Sequence, residues 1–228
     1  MYTNVNLAAP VGVLAFLGTG FLLFVVTLAL LYSVIRKKFW LTRLSLISIA
    51  LVAGIYLVVL LIFSFASSEK VLARGEEKHF CEIDCHLAYS VTDVREARTL
   101  GETPNQVSAR GVFRVVTIKT RFDEDTISST RGNALLYPNS RVVSVSDENG
   151  NQYFPSAEAQ NVLEKSQAAG TAMTIPLHPG ETYSTILAFD LPANTKSPTL
   201  LIREGELVTH LVIGHENSPL HKKTRFQI

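Results

Sequence analysis

Two long runs without a single charged side chain constrain this chain more than any other feature of its sequence. Residues 10–35 and 44–66 contain no Asp, Glu, Lys, Arg or His and are dominated by Leu, Val, Ile, Phe and Ala. A bilayer core of roughly 30 Å is crossed by about 20 apolar helical residues. Within that core a single segment satisfies its backbone only as a helix. The sequence therefore predicts a transmembrane hairpin over residues 1–66, with helices at about 10–35 and 44–66. Their connection carries Arg36, Lys37, Lys38 and Arg43 and no acid, whereas residues 1–9 are uncharged. The positive-inside bias then places the connection in the cytoplasm. Both termini, and everything after residue 66, are expected on the extracytoplasmic side. The start lacks the basic opening of a cleaved signal peptide, so the first helix is expected to be retained.

Ionisable groups inside a span usually mark transport or proton pathways. Their absence here makes the helices an anchor. Ala50-x-x-x-Gly54, with Gly18 and Gly20, offers small surfaces for close helix approach. That spacing fits packing of the two helices on each other, or docking onto another membrane-protein subunit. The expected partners are the lipid bilayer and such subunits. Net charge is +1, with 21 basic and 20 acidic residues dispersed among one another, which argues against nucleic acid as a ligand.

Residues 67–80 read as a polar stalk, 81–215 as one β-domain and 216–228 as a polar, basic C-terminal tail. Residues 112–122 are dense in β-branched side chains, and 141–147 form another such run. Asp147-Glu148-Asn149-Gly150 is a hairpin turn, because Asn-Gly tolerates positive φ. Further strands are expected at 171–177, 182–191 and 207–213, the last from its alternation of Leu207, Thr209, Leu211 and Ile213. One short helix is expected at 161–169. About seven short strands with regular turn signals argue a β-sandwich.

The order of Tyr89-Ser-Val-Thr-Asp-Val94, Gly111-Val-Phe-Arg-Val-Val-Thr-Ile118, Asp147-Glu-Asn-Gly-Asn-Gln-Tyr153, Leu177-His-Pro-Gly-Glu181 and Phe189-Asp-Leu-Pro192 resembles a bacterial extracytoplasmic immunoglobulin-like family of unknown function, found on membrane-anchored proteins. The resemblance spans roughly residues 85–215. It implies an immunoglobulin-like sandwich with a binding or structural role on the outer side of a bacterial inner membrane, and it brings no catalytic residues.

The two cysteines of the chain, Cys81 and Cys85, lie between His79 and His86. In an oxidising compartment such a pair tends to close, and a Cys81–Cys85 disulfide is the first expectation. Thiolates beside imidazoles also suit copper, with His79 and His86 as further ligands. Cys-x-x-x-Cys-His is one residue longer than the usual haem c attachment sequence, which keeps covalent haem open. Two N-terminal helices followed by a β-domain are similar in layout to subunit II of haem–copper oxidases. In that family the copper cysteines come late in the β-domain, whereas here they open it, and no cofactor is expected. His215 and His221 mark the tail as a surface that docks on a partner, or else a solvated segment. Asp123-Glu124-Asp125 reads as a solvated loop, since no EF-hand spacing surrounds it. No phosphate loop or nucleophile–base signature is present. The expected function is non-catalytic: a structural or accessory subunit of a larger membrane complex, electron-transfer complexes included.

Overall fold

The computed structural model describes residues 8–80, 87–126 and 131–228. The chain divides into two compact units, one holding Asn6–Ser68 and Glu206–Lys222, the other holding Glu69–Gly205 and Lys223–Ile228.

In the first unit the charge-free runs lie in α1 (Ala8–Ile35) and α2 (Phe39–Phe65), the second helix starting before its run and taking in Arg43. With 28 and 27 residues, each is about 40 Å long at 1.5 Å per residue, long and apolar enough to cross a membrane. The helices bury small polar groups rather than the Ala50/Gly54 pair. Ser33 and Ser45 are buried, and Ser33 Oγ and Thr42 Oγ1 share a hydrogen bond of 2.9 Å. Ala50 and Gly54 lie on an exposed face, and a Cβ at Gly54 would meet nothing within 4 Å. Packing of the two helices through this motif is thus corrected.

The second unit is a β-sandwich. One sheet has the order β2 (Lys78–Phe80), β3 (Leu87–Leu100), β4 (Val107–Phe122) and β7 (Thr182–Leu191). The other runs β1 (Lys70–Leu72), β9 (Thr224–Gln227), β8 (Thr199–Glu204), β5 (Arg141–Ser146) and β6 (Gln152–Tyr153). All pairings are antiparallel except β1 with β9. Because successive strand residues face opposite sides, the even positions Val116, Ile118 and Phe122 of β4 enter the core with Tyr89, Phe189, Leu200, Ile202 and Phe226. Phe113 and Val115 point to the other face, where Ala159 and Leu163 cover them.

Those two residues belong to α3 (Ala157–Lys165), which starts earlier than the expected 161–169 because Ser156 caps it, accepting from Ala159 N. The segment also shields the free edge of β7, where unpaired backbone groups would invite another chain. Gln160 Oε1 accepts from Ala188 N at 2.8 Å, and Ser156 N donates to Ala188 O. The Asp147 turn forms as expected: its carboxylate accepts from Asn149 N and Asn151 N, and Gly150 has φ +82°.

Three expectations are corrected. The stalk 67–80 contains β1 and β2, and the sandwich therefore begins before residue 81. The tail 216–228 ends in β9, whose Phe226 is 0% exposed. Residues 171–177 contribute isolated bridges at most, since Pro176 has no N–H to donate. In addition, Leu207–Leu211 is a short 3-10 helix of the helical unit, not a strand.

Candidate functional site

Of the residues singled out in the sequence, His79 is the one the structure places in a buried charged cluster. Cys81, Cys85 and His86 lie outside the described residues. Their sequence neighbours Phe80 and Leu87 are cross-strand partners in β2 and β3. His79 stands opposite Ala88 of β3, and Ala88 in turn stands opposite Arg121 of β4. A methyl group between a histidine and an arginine leaves a trough across the middle strand, and the longer side chains close over it.

There His79 Nε2–H donates to Asp123 Oδ2 at 3.0 Å, and Arg121 Nη1 donates to Asp123 Oδ1 at 3.2 Å. Arg121 also grips Glu77 with two parallel bonds, Nε to Oε1 at 2.8 Å and Nη2 to Oε2 at 2.7 Å. Fork-on-fork pairing of this kind is the strong form of a charge-assisted bond. Asp123 is buried, not part of a solvated loop, and its Oδ1 also accepts from Asp125 N. The expected solvated character of 123–125 is therefore corrected at its first residue.

The bonds from Arg121 hold Glu77 below the usual carboxylate range against the opposing effect of partial burial. Burial pushes Asp123 up, but the bond from His79, the charge of Arg121 and the amide of Asp125 outweigh it, so Asp123 is also lowered. A carboxyl depressed in the folded state contributes stability above its unfolded pKa and loses it as pH falls through the folded value. The sandwich is thus expected to lose melting temperature progressively below about pH 4. A Glu77→Gln/Asp123→Asn double variant should show a flatter acid slope. Thermal unfolding of the full chain in detergent, from neutral to acid pH, checks this; equal slopes would remove the cluster as the source.

A second set of charges lies between the sheets. Lys78 is 0% exposed and its Nζ donates to Ile202 O (2.7 Å) and Thr224 O (3.0 Å). From the facing sheet the Arg141 guanidinium stacks over Phe80 at 4.4 Å and Tyr89 at 5.6 Å, with Glu204 directly across the ladder. Phe80 and Tyr89 themselves meet edge-on at 5.3 Å. Cations held against aromatic faces and carbonyls tie the two sheets together, which is a structural use of charge.

No family model and no curated protein matches this chain. Among solved structures it is similar to a conserved hypothetical protein from Bacillus anthracis, with 17% identity, TM-score 0.40, and coverage of 57% of this chain and 88% of that one. It is also similar to the secreted protein MPT63 from Mycobacterium tuberculosis (10% identity, TM-score 0.43, covering 71% and 98%). An uncharacterized β-sandwich protein from Clostridium difficile gives 9% identity and TM-score 0.39, covering 71% and 95%.

The remaining singled-out residues do not join the His79 cluster. Ala50 and Gly54 are on the exposed face of α2. His215 Nδ1 accepts from Asn217 N at 2.9 Å, and His221 Nδ1–H donates to Lys222 O at 2.7 Å, both inside the helical unit. Among the described residues no group of three or more His, Cys, Asp or Glu side chains is placed to hold a metal ion. A cleft of about 630 Å³ in the sandwich has apolar walls from Val143, Phe154, Met173 and Leu187, with Arg141 and Glu164 at its lining; no histidine, cysteine or serine is among its described lining residues.

Sequence reasoning missed Glu77, Arg121 and Asp123 as partners of His79. The one available signal was Asp123 itself, an acid directly after the apolar strand end Phe122. Two of the motif residues that carried the family resemblance hold backbone in place: Asp190 accepts from the amides of Arg110 and Gly111, and a Cβ at Gly111 would collide with Leu191 O.

Proposed function

We propose that this chain is a non-catalytic, membrane-anchored extracytoplasmic protein, an immunoglobulin-like sandwich carried on a transmembrane helical hairpin. Its role is that of an accessory structural subunit in a larger bacterial membrane complex. The observation that carries this reading is the unbroken exposed apolar surface of the hairpin. Leu14, Phe21, Phe24, Ile55 and Phe65 are all exposed, Phe21 by 70%, within the runs 10–35 and 44–66 that hold no charge. A soluble protein rarely leaves an apolar patch of this size to water. The basic turn at Arg36, Lys37 and Lys38 supports a cytoplasmic connection and an extracytoplasmic sandwich. In the sandwich, the polar side chains of His79, Asp123, Arg121, Lys78 and Arg141 are engaged with one another and with backbone and rings, which supports a scaffold in preference to a reactive centre.

Ala50 and Gly54, exposed and small, offer a face on which another transmembrane helix can seat closely. Purification of the full chain at native levels in mild detergent should recover other membrane proteins in fixed stoichiometry. Gly54→Leu is expected to weaken that recovery while leaving the chain's own melting temperature unchanged, because open space surrounds the new side chain. A lone monomer, free of stoichiometric membrane partners, would sink the accessory-subunit reading.

A further inference from the structure

The segment Glu206–Lys222 leaves the sandwich after β8 and joins the helical unit before the chain returns as β9. Two contacts fix its position along the helices. Tyr56 Oη donates to Leu211 O at 2.6 Å. At Gly12 of α1, a Cβ would collide with Ile213 O, so the segment's backbone rests directly on the helix backbone. Tyr56 lies nine positions before Phe65, the end of α2, hence about 13 Å in from that end at 1.5 Å per residue. Half of a hydrocarbon core is about 15 Å. If the helices span a bilayer, the 3-10 turn Leu207–Leu211 lies at acyl-chain depth.

Irregular backbone survives at such depth only where its polar groups are satisfied by protein. Here they are. Val212 O accepts from Ser218 Oγ (2.5 Å) and from His215 N, Ser218 N donates to His215 O, and Asn217 Nδ2 donates to Thr209 Oγ1 at 2.8 Å. Asn217 and Ser218 are buried by these bonds, as are Val212 and Ile213. The side chains turned outward are apolar: Leu207 is 82% exposed and Leu211 52%, with Val208 between them. They continue the exposed apolar surface of the helices on which the segment sits.

We infer that residues 207–211 are a third membrane-contacting element, a wedge whose Leu207, Val208 and Leu211 side chains enter the acyl chains of the extracytoplasmic leaflet. The occupant of this face is lipid. The inference rests on the transmembrane reading of the hairpin, and the two are separable by experiment.

The chain has one tryptophan, Trp40, so a Trp40→Phe background permits single-tryptophan probes at Leu207, at Leu211 and, as a control, at Leu57 on the exposed face of α2. The full chain is reconstituted in phosphatidylcholine vesicles with and without acyl-chain bromines. Leu207→Trp and Leu211→Trp are expected to emit at short wavelength and to lose most of their emission to brominated lipid, as Leu57→Trp does. Leu207→Trp, at the most exposed of the three positions, is tolerated even if Leu211→Trp disturbs the fold. Quenching at Leu57 with none at 207 or 211 would overturn the wedge and leave the anchor standing. Short-wavelength emission there without bromine quenching would mean that protein, not lipid, covers the face, and overturns it equally. No quenching at Leu57 would remove the transmembrane reading itself, and the wedge with it.

Discussion

Phe226→Ala is expected to destabilise the sandwich by about 3–5 kcal/mol, the usual range for emptying a buried phenylalanine site. Phe226 lies two residues from the last residue, Ile228, yet it is fully buried and stands opposite Leu72 of β1 and Leu200 of β8. Its ring therefore packs where three strands of one sheet meet the core of the other. Neighbouring side chains come from strands pinned by their own ladders, so the site cannot collapse far, and the cavity adds to the lost transfer energy. Gln227→Ala, one position on and facing solvent, is the control and should change little. Thermal unfolding of the full chain in detergent compares the two. Equal midpoints would mean that β9 is not integral to the sandwich.

The next largest effect is expected at Asp123. Its carboxylate is the common acceptor for His79, Arg121 and the amide of Asp125. Asp123→Ala removes all three bonds and leaves a buried imidazole and a guanidinium facing each other across Ala88. Breaking one side of a buried pair costs more than the pair ever contributes. We expect about 3 kcal/mol, the low end for such a loss, because Arg121 remains 25% exposed and keeps its grip on Glu77. Asp123→Asn keeps the shape and part of the bonding, so it should lose less. A ranking in which the asparagine variant is the less stable would contradict the role given to the carboxylate oxygens.

The helices were legible because charge-free runs of their length leave few alternatives. Residues 112–122 and the Asp147 turn were legible for the same local reason: β-branched density in one, an Asn-Gly pair in the other. What could not be read was set by distant partners. β2 reads as stalk because it carries Lys78 and His79, yet Lys78 enters the core to meet the carbonyls of Ile202 and Thr224, more than a hundred positions away. β9 offers one aromatic among polar neighbours, too little signal for a strand without the ladder of β8 beside it. Residues 207–213 alternate like a strand, but Gly12 and Tyr56 draw them onto the helices. His79 was recognisable as a candidate ligand. Its actual partner depends on the strand register that sets it and Arg121 on either side of Ala88, and no local pattern encodes that.

The interleaving of the two units has a consequence for how the protein can be cut. Among the described residues the chain passes between the units near residues 68, 205 and 222, so a segment inserted between β8 and β9 packs with the helices and not with the sandwich strands on either side of it in sequence. Proteolysis between Phe65 and Lys70 would sever the covalent link from the helices to the sandwich and leave the non-covalent hold of 206–222 on the helices, through Tyr56 and Leu211 among others. A water-soluble sandwich is equally out of reach of simple N-terminal truncation, since a fragment starting at Glu69 would still carry Leu207, Val208 and Leu211 stripped of the helices they rest on. A soluble sandwich is therefore expected to require excising 206–222 as well and rejoining Gly205 to Lys223.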